Sequence, residues 1–230
     1  MKSPIILALD TKDLNTAKGW IECTRSSIST YKVGLEFFLK FGEAGISTLR
    51  EAGDFDLFLD LKLHDIPNTV AGAVGSVEHI NPRFLTIHAS GGGEMVAAAA
   101  AAAPKISITA VTILTSLSEA DLFEIGYSHN ALESAVALAK LATTKGARSV
   151  VCSPFEVGAI RNVVANEVEL ITPGVRPVGA DLGDQKRVMT PADAIAAGAN
   201  FLVIGRPISQ HWTTSPMAMS DAAAKILDSL

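Results

Sequence analysis

Leu57-Phe58-Leu59-Asp60-Leu61-Lys62-Leu63-His64-Asp65-Ile66-Pro67-Asn68-Thr69 alternates leucine with Phe58, Asp60, Lys62 and His64. Side chains of a strand point to opposite faces in turn, so the leucines share one face while Asp60 and Lys62 share the other. Few soluble proteins place a carboxylate and an ammonium this close together inside so apolar a strand. Burying either charge alone would cost several kcal/mol, so the two are expected to pair. Asp65 breaks the alternation, and Pro67 ends the strand by lacking a donor and holding Ile66 extended. The stretch reads as a strand exit at which Asp60 and Asp65 flank Lys62.

Seven further β-rich runs lie to either side, at Ile5–Leu9, Tyr31–Leu35, Phe84–His88, Ile106–Leu114, Ser149–Cys152, Glu169–Thr172 and Phe201–Ile204. Helical patterns fill the spaces between them. From Ala131 to Lys145 the apolar positions 132, 135, 136, 139 and 142 form one stripe, and Gly146 is placed to end the helix. Seven alanines at 97–103 form a strong helix former stopped by Pro104. Eight βα units in 230 residues predict an α/β fold, a single-domain (β/α)₈ TIM barrel over residues 1–230. The alternative is a doubly wound open sheet. Against it, the first strand runs into Asp10-Thr11-Lys12 and lacks the glycine-rich turn of a dinucleotide site.

A net charge of -5 leaves no basic footprint, so neither nucleic acid nor an anionic membrane is expected as a partner. Cys23 and Cys152 stand far apart with no Cys-x-x-Cys spacing, and read as free thiols of a reducing compartment. The first residues carry no signal-peptide pattern, and no stretch approaches the roughly 18–20 apolar residues that span a bilayer. A cytoplasmic location is expected.

In such a barrel the active site forms at the C-terminal ends of the strands. Read in order, those ends supply Asp10, Lys32, the Asp60/Lys62/Asp65 group, His88 with Ser90-Gly91-Gly92, Thr112 to Ser116, Ser153, Gly174 with Arg176, and Gly205 with Arg206. Glycines let the backbone approach a ligand, and each arginine offers a planar fork suited to phosphate. The loops after strands 7 and 8 are the usual phosphate site of this fold. Pro207 fits the first position of a short helix whose N-terminus would face the anion. A metal ligand set could be drawn from His64, His88, Asp60 and Asp65. Lys62 and Lys32 argue against it, since two ammonium groups repel a cation and compete for the same oxygens. No metal is expected, and His64 and His88 read as hydrogen-bonded neighbours that orient the site. Ser90 lacks a Gly-x-Ser-x-Gly elbow, which disfavours acyl transfer.

The string from Asp60 to Thr69 resembles the signature of the orotidine 5′-phosphate decarboxylases. The likeness extends through Leu7-Ala8-Leu9-Asp10, Lys32-Val33-Gly34, His88-Ala89-Ser90-Gly91-Gly92, Leu114-Thr115-Ser116, Thr172-Pro173-Gly174-Val175-Arg176 and Ile204-Gly205-Arg206-Pro207, matching the bacterial type. The resemblance implies decarboxylation of orotidine 5′-phosphate to UMP without a cofactor. It implies that Lys62 is the proton donor to C6, with Asp60, Asp65 and Lys32 completing an alternating charge array. Asp10 and Lys32 would hold the ribose, Thr115 or Ser116 the base, and Arg176, Gln185, Gly205 and Arg206 the phosphate. Asp65 and Thr69 would reach the site from the other subunit of a homodimer. The connections after strands 5 and 7 are long enough to act as lids.

Elementary chemistry agrees. Loss of CO₂ without a cofactor leaves a carbanion with no electron sink, and a fixed ammonium can stabilise and then protonate it. Two alternatives remain. One is a metal-dependent sugar-phosphate decarboxylase or epimerase of the same superfamily, whose decarboxylases carry an acidic metal ligand where this chain has Lys32. The other is a non-catalytic nucleotide-binding barrel.

Overall fold

Strand β1 (Ile5–Ala8) pairs in parallel with both β2 (Thr30–Gly34) and β8 (Phe201–Ile204), and that double pairing closes the sheet. The computed structural model describes residues 3–177 and 189–230. Between these strands run β3 (Asp56–Leu63), β4 (Phe84–His88), β5 (Ser107–Val111), β6 (Ser149–Val151) and β7 (Glu169–Pro173), each paired with its neighbours in chain order. Helices separate successive strands, as the alternation predicts, and the architecture is a (β/α)₈ barrel.

The strand limits differ from expectation chiefly in β5. The apolar run to Leu114 reads as strand, but the chain leaves the sheet after Val111, and Leu114 is exposed over the barrel mouth. The helices follow their local signals. The alanine run lies in α4 (Gly93–Ala102) except for Ala103, which caps it, and α6 (Ala131–Thr144) begins at Asn130, whose side chain accepts the Glu133 N–H at 2.9 Å. Gly146, at φ +104, follows the end of α6 as the sequence suggests. Ala135, Ala139 and Ala142 face the core, whereas Leu132, expected in the same stripe, is exposed.

Alternation on β3 sorts its first residues as predicted. Leu57 and Leu59 pack outward beneath the helices, while Phe58 and Asp60 point into the barrel. Phe58 joins Ile6, Phe84, Ile171 and Phe201 in an apolar layer across the interior, with Phe84 in edge contact with Phe58 and Phe201 at 5.6 Å. Each such ring buried contributes about 1.5–3 kcal/mol. Below this layer, Arg83 bonds Asp56 of β3 at 2.9 Å and Glu169 of β7 at 2.7 Å. Those strands are four apart in the closed order, so Arg83 spans the N-terminal mouth. Its guanidinium also lies over Phe84 and Phe201 at 4.7 and 4.8 Å. Arg83 and the apolar layer thus fill the N-terminal side of the interior, and the charged groups lie on the other side of that layer, around a cavity.

Candidate active site

A cavity of about 380 Å³ occupies the C-terminal mouth. Its lining includes Asp10 after β1, Lys32 on β2, Asp60 and Lys62 on β3, Thr115 after β5, Arg176 after β7, and Gly205 and Arg206 after β8. Eight residues from six sequence segments therefore converge, and Phe58 from the apolar layer forms part of the wall.

Asp60 is the hub. Lys62 Nζ lies 2.8 Å from each of its carboxylate oxygens, and Lys32 Nζ lies 3.5 Å from Oδ2. Lys32 also donates to Asp10 Oδ1 at 3.3 Å. Burial by itself would raise the Asp60 pKa, but Lys32, Lys62 and the hydroxyl of Thr86 together hold it below the ordinary aspartate value. The carboxylate is thus kept ionised. Gly34 pairs with Asp60 across β2 and β3, and a Cβ there would stand 3.2 Å from Lys32 Nζ. The absence of a side chain at 34 makes room for the second ammonium.

Regular alternation does not deliver Lys62 to this site. The lysine has φ +49, in the left-handed region, and the β3–β4 register slips between Leu59 and Leu63. Four steps along β3 pass only two along β4, a bulge that turns the strand at the lysine. A non-glycine residue held this way costs about 1–3 kcal/mol. Thr86 of β4 offsets part of that, accepting the Lys62 backbone N–H at 2.8 Å and donating its own proton to Asp60 Oδ1 at 3.0 Å. Sequence reasoning missed Thr86 because a threonine in Phe-Leu-Thr-Ile-His is ordinary strand composition. Its position two residues before His88, on the inward face, was the available signal.

Asp65 does not flank Lys62 within this chain. It is exposed beyond the strand, and its Oδ1 accepts the backbone N–H of Ile66. Thr69 is also exposed, on α3 (Pro67–Ser76), which starts at Pro67 with Ile66 extended as expected. Neither residue lines the cavity. His64 and His88 meet through their rings, 5.5 Å apart and tilted by 34°, in place of the expected hydrogen bond. Burial, then the neighbouring His64 and Lys62, push the His88 pKa below the usual histidine value.

Arg176 is buried; its Nη1 donates to the Val175 carbonyl and its backbone N–H to the Met189 carbonyl. Arg206 is exposed and opens α9 (Arg206–Ser209), so Pro207 is the second helical residue and not the first. Thr115 and Ser116 are exposed, and only Thr115 touches the main cavity. Ser116 lines an adjoining cavity of about 380 Å³ with Phe155 and Glu156. The predicted phosphate contact Gln185 lies outside the described residues. Among the described residues, no three His, Cys, Asp or Glu side chains group as a metal-ligand set.

Fold and cavity together define a (β/α)₈ barrel with a charge-paired lysine and two arginines at one mouth. Residues 3–214 match the orotidine 5′-phosphate decarboxylase / HUMPS family, and the chain belongs to that family. It is 53% identical over 210 residues to the orotidine 5′-phosphate decarboxylase of Thermobifida fusca, covering 91% of this chain and 90% of the relative. The enzyme of the same name from Frankia casuarinae is 43% identical over 225 residues, with 90% and 82% covered. Among solved structures, orotidine 5′-phosphate decarboxylase from Lactobacillus acidophilus aligns with a TM-score of 0.82 at 31% identity, covering 99% of this chain and all of that one.

Proposed function

We propose that the protein decarboxylates orotidine 5′-phosphate to UMP and CO₂, the last step of de novo pyrimidine nucleotide synthesis. One observation carries the reading: the Lys62–Asp60 pair and the guanidinium-bearing exits of β7 and β8 open into the same cavity. An ammonium for a developing carbanion and a cationic seat for a phosphate are what this substrate requires.

The C6–carboxylate bond breaks, CO₂ leaves, and the electron pair stays on C6. The Lys62 ammonium stabilises that charge and then gives C6 a proton, after which the amine regains one from solvent. Asp60 keeps Lys62 charged and aimed, and Lys32 completes the array. Asp10 and Lys32 hold the ribose, Thr115 or Ser116 the base, and Arg176, Arg206, Gly205 and Gln185 the phosphate. Binding energy from the phosphate, which does not react, lowers the barrier at C6. No cofactor takes part.

The working form is a cytoplasmic homodimer in which Asp65 and Thr69 complete the partner's site. Their exposure beside Ile66, a large apolar residue at 65% exposure, supports that reading. No helix among the described residues is long and apolar enough to cross a membrane.

The functional test follows the loss of orotidine 5′-phosphate absorbance with purified protein, with and without EDTA. Turnover at the same rate in both is expected. No turnover, or turnover that the chelator abolishes, refutes the reading.

A further inference from the structure

We propose that Thr86 is a positioning residue for Lys62, holding the lysine's backbone and its counter-ion with one hydroxyl. The inference rests on the decarboxylase reading and adds a residue to it.

The hydroxyl of Thr86 has one proton. That proton goes to Asp60 Oδ1 at 3.0 Å, while the oxygen accepts the Lys62 N–H at 2.8 Å. A third bond closes the circuit, since Lys62 Nζ lies 2.8 Å from the same Asp60 oxygen. The ring runs from the lysine backbone through Thr86 and Asp60 to the lysine ammonium. Both ends of the Lys62 side chain are therefore referred to one atom on the neighbouring strand.

The need for such an anchor arises from the bulge. Where the β3–β4 register slips, the Lys62 N–H bonds a side chain, at a residue with φ +49. A threonine without this role would serve only to fill space, and Thr86 is fully buried. Valine fills nearly the same volume without the hydroxyl, so it separates the two roles. Serine keeps the hydroxyl and loses only the methyl group.

The two roles predict different kinetics. A loosened ammonium lowers the rate of the chemical step and leaves ground-state binding of the phosphate and ribose intact. Thr86→Val is expected to lower kcat about ten- to a hundred-fold, with KM and the Kd for UMP within about twofold of the parent. Thr86→Ser is expected to keep kcat within about threefold. Asp60 is faced by Lys62 on its own strand, by Lys32 on β2 with Asp10 beyond it, and by Thr86 and His88 on β4. Losing the Thr86 donor weakens the hold on the ionised carboxylate, so the acid limb of the kcat profile should move to higher pH in Thr86→Val and stay in place in Thr86→Ser. Thr86→Ala carries the same expectation as valine if the valine variant does not fold.

The parent, the hydroxyl-free variant and the serine variant are assayed side by side, with melting temperatures. An active parent with kcat of the hydroxyl-free variant within twofold of it overturns the positioning role and leaves the function standing. So does a serine variant as slow as valine, or a loss confined to KM. A parent that releases no CO₂ overturns the functional reading itself and the inference with it.

Discussion

Lys62 meets Asp60 in a two-oxygen ion pair, its ammonium 2.8 Å from each carboxylate oxygen, and Lys32 approaches the same carboxylate at 3.5 Å. Asp60 thus contacts both cations, and Lys32 also reaches Asp10 at 3.3 Å. Asp60→Asn removes the shared counter-ion and leaves two ammoniums facing each other. Its kcat/KM for orotidine 5′-phosphate should fall by at least about 100-fold, measured in steady state. Activity within tenfold of the parent would show that the pair does not aim the lysine.

At the opposite mouth, Arg83 serves stability and touches no part of the cavity. Arg83→Met keeps the packing on Phe84 and Phe201 but leaves Asp56 and Glu169 without the cation between them. The three side chains are 22–29% exposed, so solvent screening tempers the loss. A destabilisation of about 1–3 kcal/mol is expected, lowering the melting temperature by about 3–9 °C. The kcat should stay within twofold. A variant that melts like the parent would mean that the mouth holds without the clasp.

Acid should weaken the fold in two stages. The His88 pKa is lowered, so the native state resists protonation, and its contribution to stability is present above the ordinary histidine value near 6.5 and lost as pH falls through the lower native value. Asp60 is also lowered, so its contribution begins to fall away as pH drops below the ordinary 3.8. Melting temperature should decline on acidification from neutrality, and His88→Gln should flatten the first part of that decline. A His88→Gln curve parallel to the parent's would remove His88 from this account.

Subunit sharing has its own test. Lys62→Ala and Asp65→Ala are each expected to be inactive alone, and a mixed dimer concentrates both lesions in one site and leaves the other whole. About a quarter of parental activity per site should return when subunits exchange freely, since half the dimers are mixed and each has one intact site of two. No recovery after exchange has been demonstrated would place Asp65 outside the partner's site.

The barrel was legible because eight β-rich runs alternate with helical segments, and because glycines and polar residues gather at the predicted exits; within β3, side chains alternate between the two faces. Phe58 and Asp60 fall inward by that rule alone. The rule stops at Leu61. Leu-Asp-Leu-Lys-Leu reads as unbroken alternation, so nothing local announces the left-handed backbone at Lys62 or the slipped register beside β4. Lys62 reaches the cavity, but through a bulge that depends on a neighbouring strand. Thr86 was hidden for the same reason, since its partners lie 24 and 26 residues away in sequence. Proximity in the chain suggests that Asp65 flanks Lys62, whereas within one chain its carboxylate accepts the Ile66 N–H and the residue is exposed. The over-long β5 shows that an apolar pair at a strand end, Ile113-Leu114, can equally wall a cavity.

The central claim is that the Lys62 ammonium delivers the proton to C6. Lys62→Ala should bind UMP within about tenfold of the parent affinity while single-turnover decarboxylation of orotidine 5′-phosphate falls by at least about 1,000-fold. Turnover near the parental rate in that variant, with UMP binding intact, would contradict it.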